Sequence, residues 1–339
     1  MGKVTKSGPL ARRPDNSAFK QQRLPAWSPM LTANTVLPFF YIMAVVCMLL
    51  GVWLLLTVQS TQEMKMDYTD AGTCDKCFEK RKNASYAAEP CSCTVYFTLE
   101  SAFKGNVFFY YGLKNFHQNL RRYMDSRDDG QMVGRKTRLK NPSSYCKPFD
   151  KNEHGLPIAP CGAVANSMFN DSFSLFYHNS SGITHKVNLL RQGITWYTDK
   201  NVKYRNPKMG NLTLPEVFEG TVKPLYWQKN VYDLDPLDPT NNGFINDDLI
   251  VWMREAAFPN FKKLYGVLNR HSAPFDADFP VQYFRGRKEV VLTTLTWFGG
   301  QNHFLPIAYL VTSSLILLLA VVQTVVWWKF GKDGKNMEE

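Results

Sequence analysis

At 339 residues the chain holds one large domain or two small ones, and its formal net charge of +11 raises the question of a nucleic-acid partner. The charge distribution excludes one: six basic residues (Lys3, Lys6, Arg12, Arg13, Lys20, Arg23) face only Asp15 in the tail before Val36, and the remaining excess is spread thinly. The mean hydropathy of −0.28 is that of an ordinary soluble protein, but it averages over two long apolar runs near the ends.

The first element is Val36–Val58, VLPFFYIMAVVCMLLGVWLLLTV, which contains no Asp, Glu, Lys, Arg or His. As a helix rising 1.5 Å per residue it is longer than the roughly 30 Å hydrocarbon core of a bilayer. It is too long for a signal-peptide core, it follows a 35-residue tail, and no small-residue cleavage site succeeds it. Cys47 inside it reads as a small hydrophobe. The matching element at the other end is Phe304–Trp328, FLPIAYLVTSSLILLLAVVQTVVWW, again uncharged and followed by Lys329, Lys332 and Lys335. Positive flanks favour the cytosolic side, so residues 1–35 and 329–339 are expected there, with Trp27, Trp327 and Trp328 at the headgroup level. The basic first tail would also be drawn to anionic inner-leaflet lipids. Residues 59–303 then lie outside the cytosol.

That placement fits what the loop contains. All four Asn-x-Ser/Thr acceptor triplets fall there: Asn83-Ala-Ser85, Asn170-Asp-Ser172, Asn179-Ser-Ser181 and Asn211-Leu-Thr213. So do six of the seven cysteines, Cys74, Cys77, Cys91, Cys93, Cys146 and Cys161, which in an oxidising compartment point to three disulfides. Cys74-x2-Cys77 with Cys91-x-Cys93 has the spacing of a zinc site in a reducing compartment; outside the cytosol two nested disulfides are the expectation. Cys146 and Cys161 would close a separate loop worth a few kcal/mol.

Along the loop, Cys93–Thr98, Val107–Tyr111, Ile194–Thr198 and Val290–Trp297 are rich in β-branched and aromatic residues and read as strands. Strands returning from opposite ends predict an antiparallel sheet closed by long-range pairing, most naturally within a β-sandwich. Asp125–Asn141, with Arg135, Lys136, Arg138 and Lys140, reads as a solvated excursion. A helix is expected from Asn246, with Asn246, Asp247 and Asp248 as cap and first-turn charge and Leu249, Trp252, Met253, Ala256 and Ala257 at helical spacing. Pro259 then opens a second short helix through Leu264 and Leu268, with Lys262 and Lys263 outward. The fold class predicted is a membrane protein of two transmembrane α-helices plus a mainly-β extracellular or lumenal domain.

Catalytic signatures are missing: no zincin helix, phosphate-binding loop, nucleophile elbow, dinucleotide fingerprint or Asp-Lys-Thr-Gly-Thr is present. Asp238-Pro-Thr240-Asn-Asn242-Gly243 resembles the start of a calcium loop, but the twelfth position is Leu249 where a bidentate Glu is needed, so a turn is expected instead. No cofactor and no metal are therefore expected. Neither span carries an ionisable group to conduct or relay ions, and Thr312, Ser313, Ser314, Gln323 and Thr324 are expected to hydrogen-bond within helix packing.

Six stretches carry a resemblance. They are Arg13–Trp27 (RPDNSAFKQQRLPAW), Gly105–Leu113 (GNVFFYYGL), Asn115–Tyr123 (NFHQNLRRY), Pro157–Asp171 (PIAPCGAVANSMFND), Asn242–Asn246 (NGFIN) with Trp252-Met-Arg254, and Gly299-Gly300. In this order they resemble the cell cycle control protein 50 family, also called transmembrane protein 30, across nearly the whole chain. The resemblance implies bridges Cys74–Cys93, Cys77–Cys91 and Cys146–Cys161. It further implies a non-catalytic subunit in a 1:1 complex with a ten-span type IV P-type ATPase, a phospholipid flippase. That role would support the partner's folding, its exit from the endoplasmic reticulum and aminophospholipid transport, in the Golgi, vesicles and plasma membrane. Arg12, Arg13, Lys20, Arg23 and Trp27 would lie along the partner. One departure is visible: after Phe279-Pro280 the chain runs directly into Val281-Gln-Tyr-Phe284, where family members carry an extra strand with a sequon, and the chain reads as an isoform or divergent paralogue. A two-span ligand-gated or proton-gated channel subunit shares the topology but needs a polar conduction path, and a lipid-binding receptor would need an apolar tunnel.

Overall fold

An apolar run in lipid has to satisfy its backbone internally, and both runs do so as helices of 27 residues: α1 (Ala33–Gln59) and the carboxy-terminal helix Phe304–Phe330. Each is about 40 Å long at the helical rise. Pro306 falls within the first turn of its helix, where a missing N–H is cheapest, whereas Pro38 lies inside α1, in its second turn. The structure is a computed structural model and describes residues 16–25, 32–81, 91–99, 103–178, 184–268, 276–280 and 286–331. The chain divides into two compact units, one built on these helices and the other formed by Leu56–His303.

Within Leu56–His303 the described strands are β1 (Glu63–Asp67), β2 (Ser92–Tyr96), β3 (Val107–Lys114), β4 (Ser174–His178), β5 (Thr184–Val187), β6 (Leu189–Leu190), β7 (Phe261–Leu268), β8 (Asp276–Pro280) and β9 (Arg287–Thr294). They form two antiparallel sheets, in the orders β1-β9-β3-β7-β6 and β2-β8-β4-β5. The first and last strands meet, with Met64 opposite Leu292 and Met66 opposite Val290. β3 sits at the centre between β9 and β7, with Tyr111 opposite Val290 on one side and Lys263 on the other. Gly112 is required there: a Cβ would overlap the Glu289 side chain on the neighbouring strand. The core between the sheets is aromatic. Phe109 meets Phe173 edge-on at 5.1 Å between centroids, Phe173 meets Tyr265 at 4.8 Å, and Val95 and Leu175 complete the opposing face.

Three expectations are corrected. Phe261–Leu268 is a strand, with Pro259 merely turning the chain into it, and Lys263 is 7% exposed rather than outward. Full pairing along β3 outweighs the helical spacing of its apolar residues. Ile194–Thr198 is no strand but leads into a π-helical turn at Asp199–Lys203. The buried Asp247 carboxylate draws this segment in, accepting hydrogen bonds from Gly193 N at 2.8 Å and Thr195 Oγ1 at 3.0 Å. Asp125–Asn141 is not a solvated excursion, because Asp128, Gln131, Met132 and Leu139 are buried. Gln131 donates to the Arg138 and Ile158 carbonyls and accepts from Cys161 N, so its amide is a cross-brace. The helix begun by Asn246 forms, but it ends at Met253, short of Ala256 and Ala257. β2 and β9 stop at Tyr96 and Thr294, before the predicted ends at Thr98 and Trp297. The departure after Phe279-Pro280 falls at the end of β8, and residues 281–285 lie outside the described ones.

Candidate functional site

Four of the six loop cysteines meet at a short helix, α2 (Cys74–Arg81), whose geometry puts Cys74 and Cys77 one turn apart. Cys74 is bonded to Cys93 in β2 and Cys77 to Cys91, with Cα separations of 4.9 and 5.8 Å. A third bridge joins Cys146 to Cys161 at 5.6 Å. Each closes a loop of 14 to 19 residues, a size at which a bridge contributes about 3 kcal/mol through loss of unfolded-state freedom. The first two tie the segment that follows β1 to the opposite sheet. Cys47 is a buried free thiol in α1.

Of the acceptor asparagines, Asn211 is exposed and Asn170 half-buried, while Asn83 and Asn179 lie outside the described residues. Asn170 is held between two pinned neighbours. Phe169 stacks on Tyr111 at 3.8 Å between centroids. Asp171 is fully buried and accepts from Lys288 Nζ at 2.6 Å and from Tyr68 Oη at 2.8 Å. Burial and the adjacent Asp171 carboxylate push the Tyr68 phenol well above its ordinary range. Tyr68, Asp171 and Lys288 come from three separate segments, and no local pattern marked them.

A second polar cluster surrounds the Asp247–Met253 helix. Asn246 Oδ1 accepts from Leu249 N at 3.0 Å, and Asn241 Oδ1 accepts from Asp247 N at 2.9 Å. Gly243, at φ +80°, lets the Asn206 amide bracket the turn, donating to Asn242 O and accepting from Phe244 N. Asp238 accepts from both Thr240 N and Thr240 Oγ1, which makes Asp238–Asn242 a capped turn feeding the helix rather than an open ligand loop. At the other end Lys263 Nζ donates to the carbonyls of Val251, Trp252 and Arg254 at 3.0, 2.6 and 2.6 Å, which stops the helix.

Burial pushes the Lys263 ammonium down from 10.5 to about 7. Between those values the unfolded chain binds more protons at this position than the folded one, so stability rises with pH across that window. The slope is at most about 1.4 kcal/mol per pH unit. Urea midpoints of the Lys263→Met variant should lack this rise above pH 7 and should fall furthest below those of the native chain at high pH, where the neutral amine still donates to the helix-end carbonyls without the cost of a buried charge. A rise that persists in the variant would assign the titration to another group.

In the unit of the two long helices, a seam of small residues joins them. Ser313 Oγ donates to Ala44 O at 2.8 Å, and Tyr41 Oη and Thr324 Oγ1 are 2.9 Å apart. A Cβ on Gly51 would stand 2.9 Å from Leu310 Cδ2 and 3.2 Å from Leu310 N, so the two helices approach closely there. Of the five polar residues predicted to pack helices, Ser313 and Thr324 do so. Ser314 bonds back to Leu310 O, and Thr312 and Gln323 face outward. Away from the seam α1 presents Phe39, Ile42, Val45, Leu49, Trp53 and Leu56, all more than half exposed in the isolated chain, at three- and four-residue steps. Lys20 and Arg23 lie on an exposed turn, whereas Arg12, Arg13 and Trp27 lie outside the described residues. No cluster of three or more potential metal-binding His, Cys, Asp or Glu occurs among the described residues.

Comparison with known proteins fits this architecture. The profile of the LEM3 (ligand-effect modulator 3) family / CDC50 family matches residues 54–333. Cell cycle control protein 50A of Bos taurus is 48% identical over 342 aligned residues, which cover 96% of this chain and 92% of that protein. Cell cycle control protein 50B of Homo sapiens is 43% identical, covering 97% of each. ALA-interacting subunit 3 of Arabidopsis thaliana is 35% identical, covering 94% of this chain and 87% of the relative. With two apolar end helices, an antiparallel two-sheet domain and full-length similarity to these proteins, the chain belongs to the LEM3/CDC50 family.

Proposed function

We propose that the chain is a non-catalytic accessory subunit of a phospholipid flippase, bound to a catalytic type IV P-type ATPase as a 1:1 heterodimer. The observation that carries this reading is similarity along 94% or more of the chain to cell cycle control proteins and to a relative named as an interacting subunit. Its segments take roles accordingly. Residues 1–35 and 329–339 are cytosolic, 36–58 and 304–328 cross the membrane, and 59–303 form the lumenal or extracellular domain. That domain carries glycans at Asn83, Asn170, Asn179 and Asn211 and disulfides that suit an oxidising compartment. The outward apolar stripe of α1 is the surface for the partner's helices, since lipid alone gives no reason for one face to be large and the seam face small. Arg12, Arg13, Lys20, Arg23 and Trp27 contact the partner's cytosolic side. The subunit supports folding and export of the ATPase from the endoplasmic reticulum, and thereby aminophospholipid movement to the cytosolic leaflet at Golgi, vesicle and plasma membranes.

Mild solubilisation and affinity capture of the tagged full chain test this. A large P-type ATPase should co-purify in equal amount, and its surface delivery should fall when the chain is removed. Leu49→Ala/Trp53→Ala should reduce the recovered ATPase about tenfold, the effect of losing roughly 1–2 kcal/mol of interhelical packing. Capture of no ATPase, with delivery unaffected by removal, would refute the subunit reading.

A further inference from the structure

A cavity of about 240 Å³ opens beside the Asn170 sequon, with Phe169, Asn170, Arg191, Trp227, Lys229 and Tyr265 among its lining residues. It is smaller than the roughly 300–1,000 Å³ of pockets that hold drug-sized ligands, and is in the size class of one sugar ring. Four aromatic side chains line it, Tyr111, Phe169, Trp227 and Tyr265, and each is held in place. Phe169 is stacked on Tyr111, Trp227 Nε1 donates to Ala165 O at 2.7 Å, and Tyr265 Oη accepts from Phe173 N at 3.0 Å. Arg191 is clamped as well. Its guanidinium lies 4.5 Å from the Tyr265 ring centroid and bonds Asp248 Oδ2 at 2.6 Å.

Resting on the lumenal placement proposed above, we infer that this cavity lodges the first N-acetylglucosamine of a glycan on Asn170. The sugar is attached to the unfolded chain, so a half-buried final position is no obstacle. Because Phe169 and Asp171 are both pinned, Asn170 projects in one direction, along the cavity wall it helps to form. A pyranose has an apolar C–H face for the aromatic rings. Its hydroxyls and acetamide carbonyl can accept from the two cationic side chains in the lining, Lys229 and the 42%-exposed Arg191. Asn211, exposed and away from the cavity lining, has no such seat and serves as the internal comparison.

The test is site-resolved deglycosylation of the full chain expressed in cells that make high-mannose glycans, with occupancy read by peptide mass spectrometry. Under native conditions an amidase cutting at the asparagine should release the Asn170 glycan at least about tenfold more slowly than the Asn211 glycan, the factor one hydrogen bond confers. After denaturation the two rates should converge. An endoglycosidase that leaves only the first sugar should not change the melting temperature, while Ser172→Ala, which abolishes the sequon, should lower it by about 2–4 °C. Ser172→Thr, which keeps the sequon, should not. Equal native release rates, or a bare Asn170 beside an occupied Asn211, would overturn the inference alone. Bare asparagines at both sites would overturn the lumenal placement with it.

Discussion

Lys288→Met should destabilise the domain by about 3–5 kcal/mol, the cost of stranding one charge of a buried ion pair. The side chains of Lys288 and Asp171 are 6% and 0% exposed, so water cannot solvate what remains. Loss of the ammonium removes the cation that faces the Asp171 carboxylate, while the Tyr68 hydroxyl at 2.8 Å is a neutral donor and cannot replace the charge. Denaturant unfolding of the full chain in detergent, followed by tryptophan fluorescence, measures the loss. The triple change Tyr68→Phe/Asp171→Leu/Lys288→Met should recover most of it, because an apolar replacement of matched shape removes the desolvation cost along with the attraction. That variant retains Asn170-x-Ser172, so it separates charge from glycosylation. If Lys288→Met proves neutral, the pair does not hold the sheet to the sequon segment.

Gly162→Ala should be comparably severe for a steric reason. Gly162 sits at φ +99°, outside the regions open to residues with a Cβ, and an added methyl would overlap the Ser126 carbonyl oxygen. The obstacle is backbone and cannot rotate away. Ser126 Oγ also accepts from Ala163 N at 2.9 Å, and Gly162 N donates to Phe149 O at 3.1 Å, so both sides of the approach are tied. Left-handed strain of roughly 1–2 kcal/mol and overpacking of about 1–3 kcal/mol add to a loss of about 2–5 kcal/mol. Expression should fall, with the protein retained in an immature glycoform. Gly155→Ala, at φ +76° with no atom near its would-be Cβ, is the control and should show only the conformational part. Equal losses at the two positions would mean that the Ser126 contact yields.

The two long helices were legible because length and absence of charge leave few alternatives, and β3 and β9 because Val107–Tyr111 and Val290–Thr294 concentrate β-branched and aromatic residues. Phe261–Leu268 was misread for a physical reason. Phe261, Leu264, Tyr265 and Leu268 stand at helical steps, and a strand flanked on both edges and packed on its faces shows no clean alternation to contradict them. Charge density misled at Asp125–Asn141, where Asp128 spends its carboxylate on Gly130, Gln131 and Ser143 N–H groups inside the fold. The Asp171–Lys288 pair, 117 residues apart, has no local signature at all. The sequon at Asn170 was visible, but its cavity was not: Arg191, Trp227 and Tyr265 converge on it only through the tertiary fold.

The pairing of β1 with β9 has a kinetic corollary. Glu63 finds its partner at Thr293, so the earliest strand must wait while some 230 residues are synthesised behind it. At about 5–20 residues per second this is roughly 10–45 s during which an unpaired edge stays open to other chains. Closure of so distant a contact is entropically late. The nascent domain therefore has a window of vulnerability set by its own topology, and it ends only as the second anchor emerges.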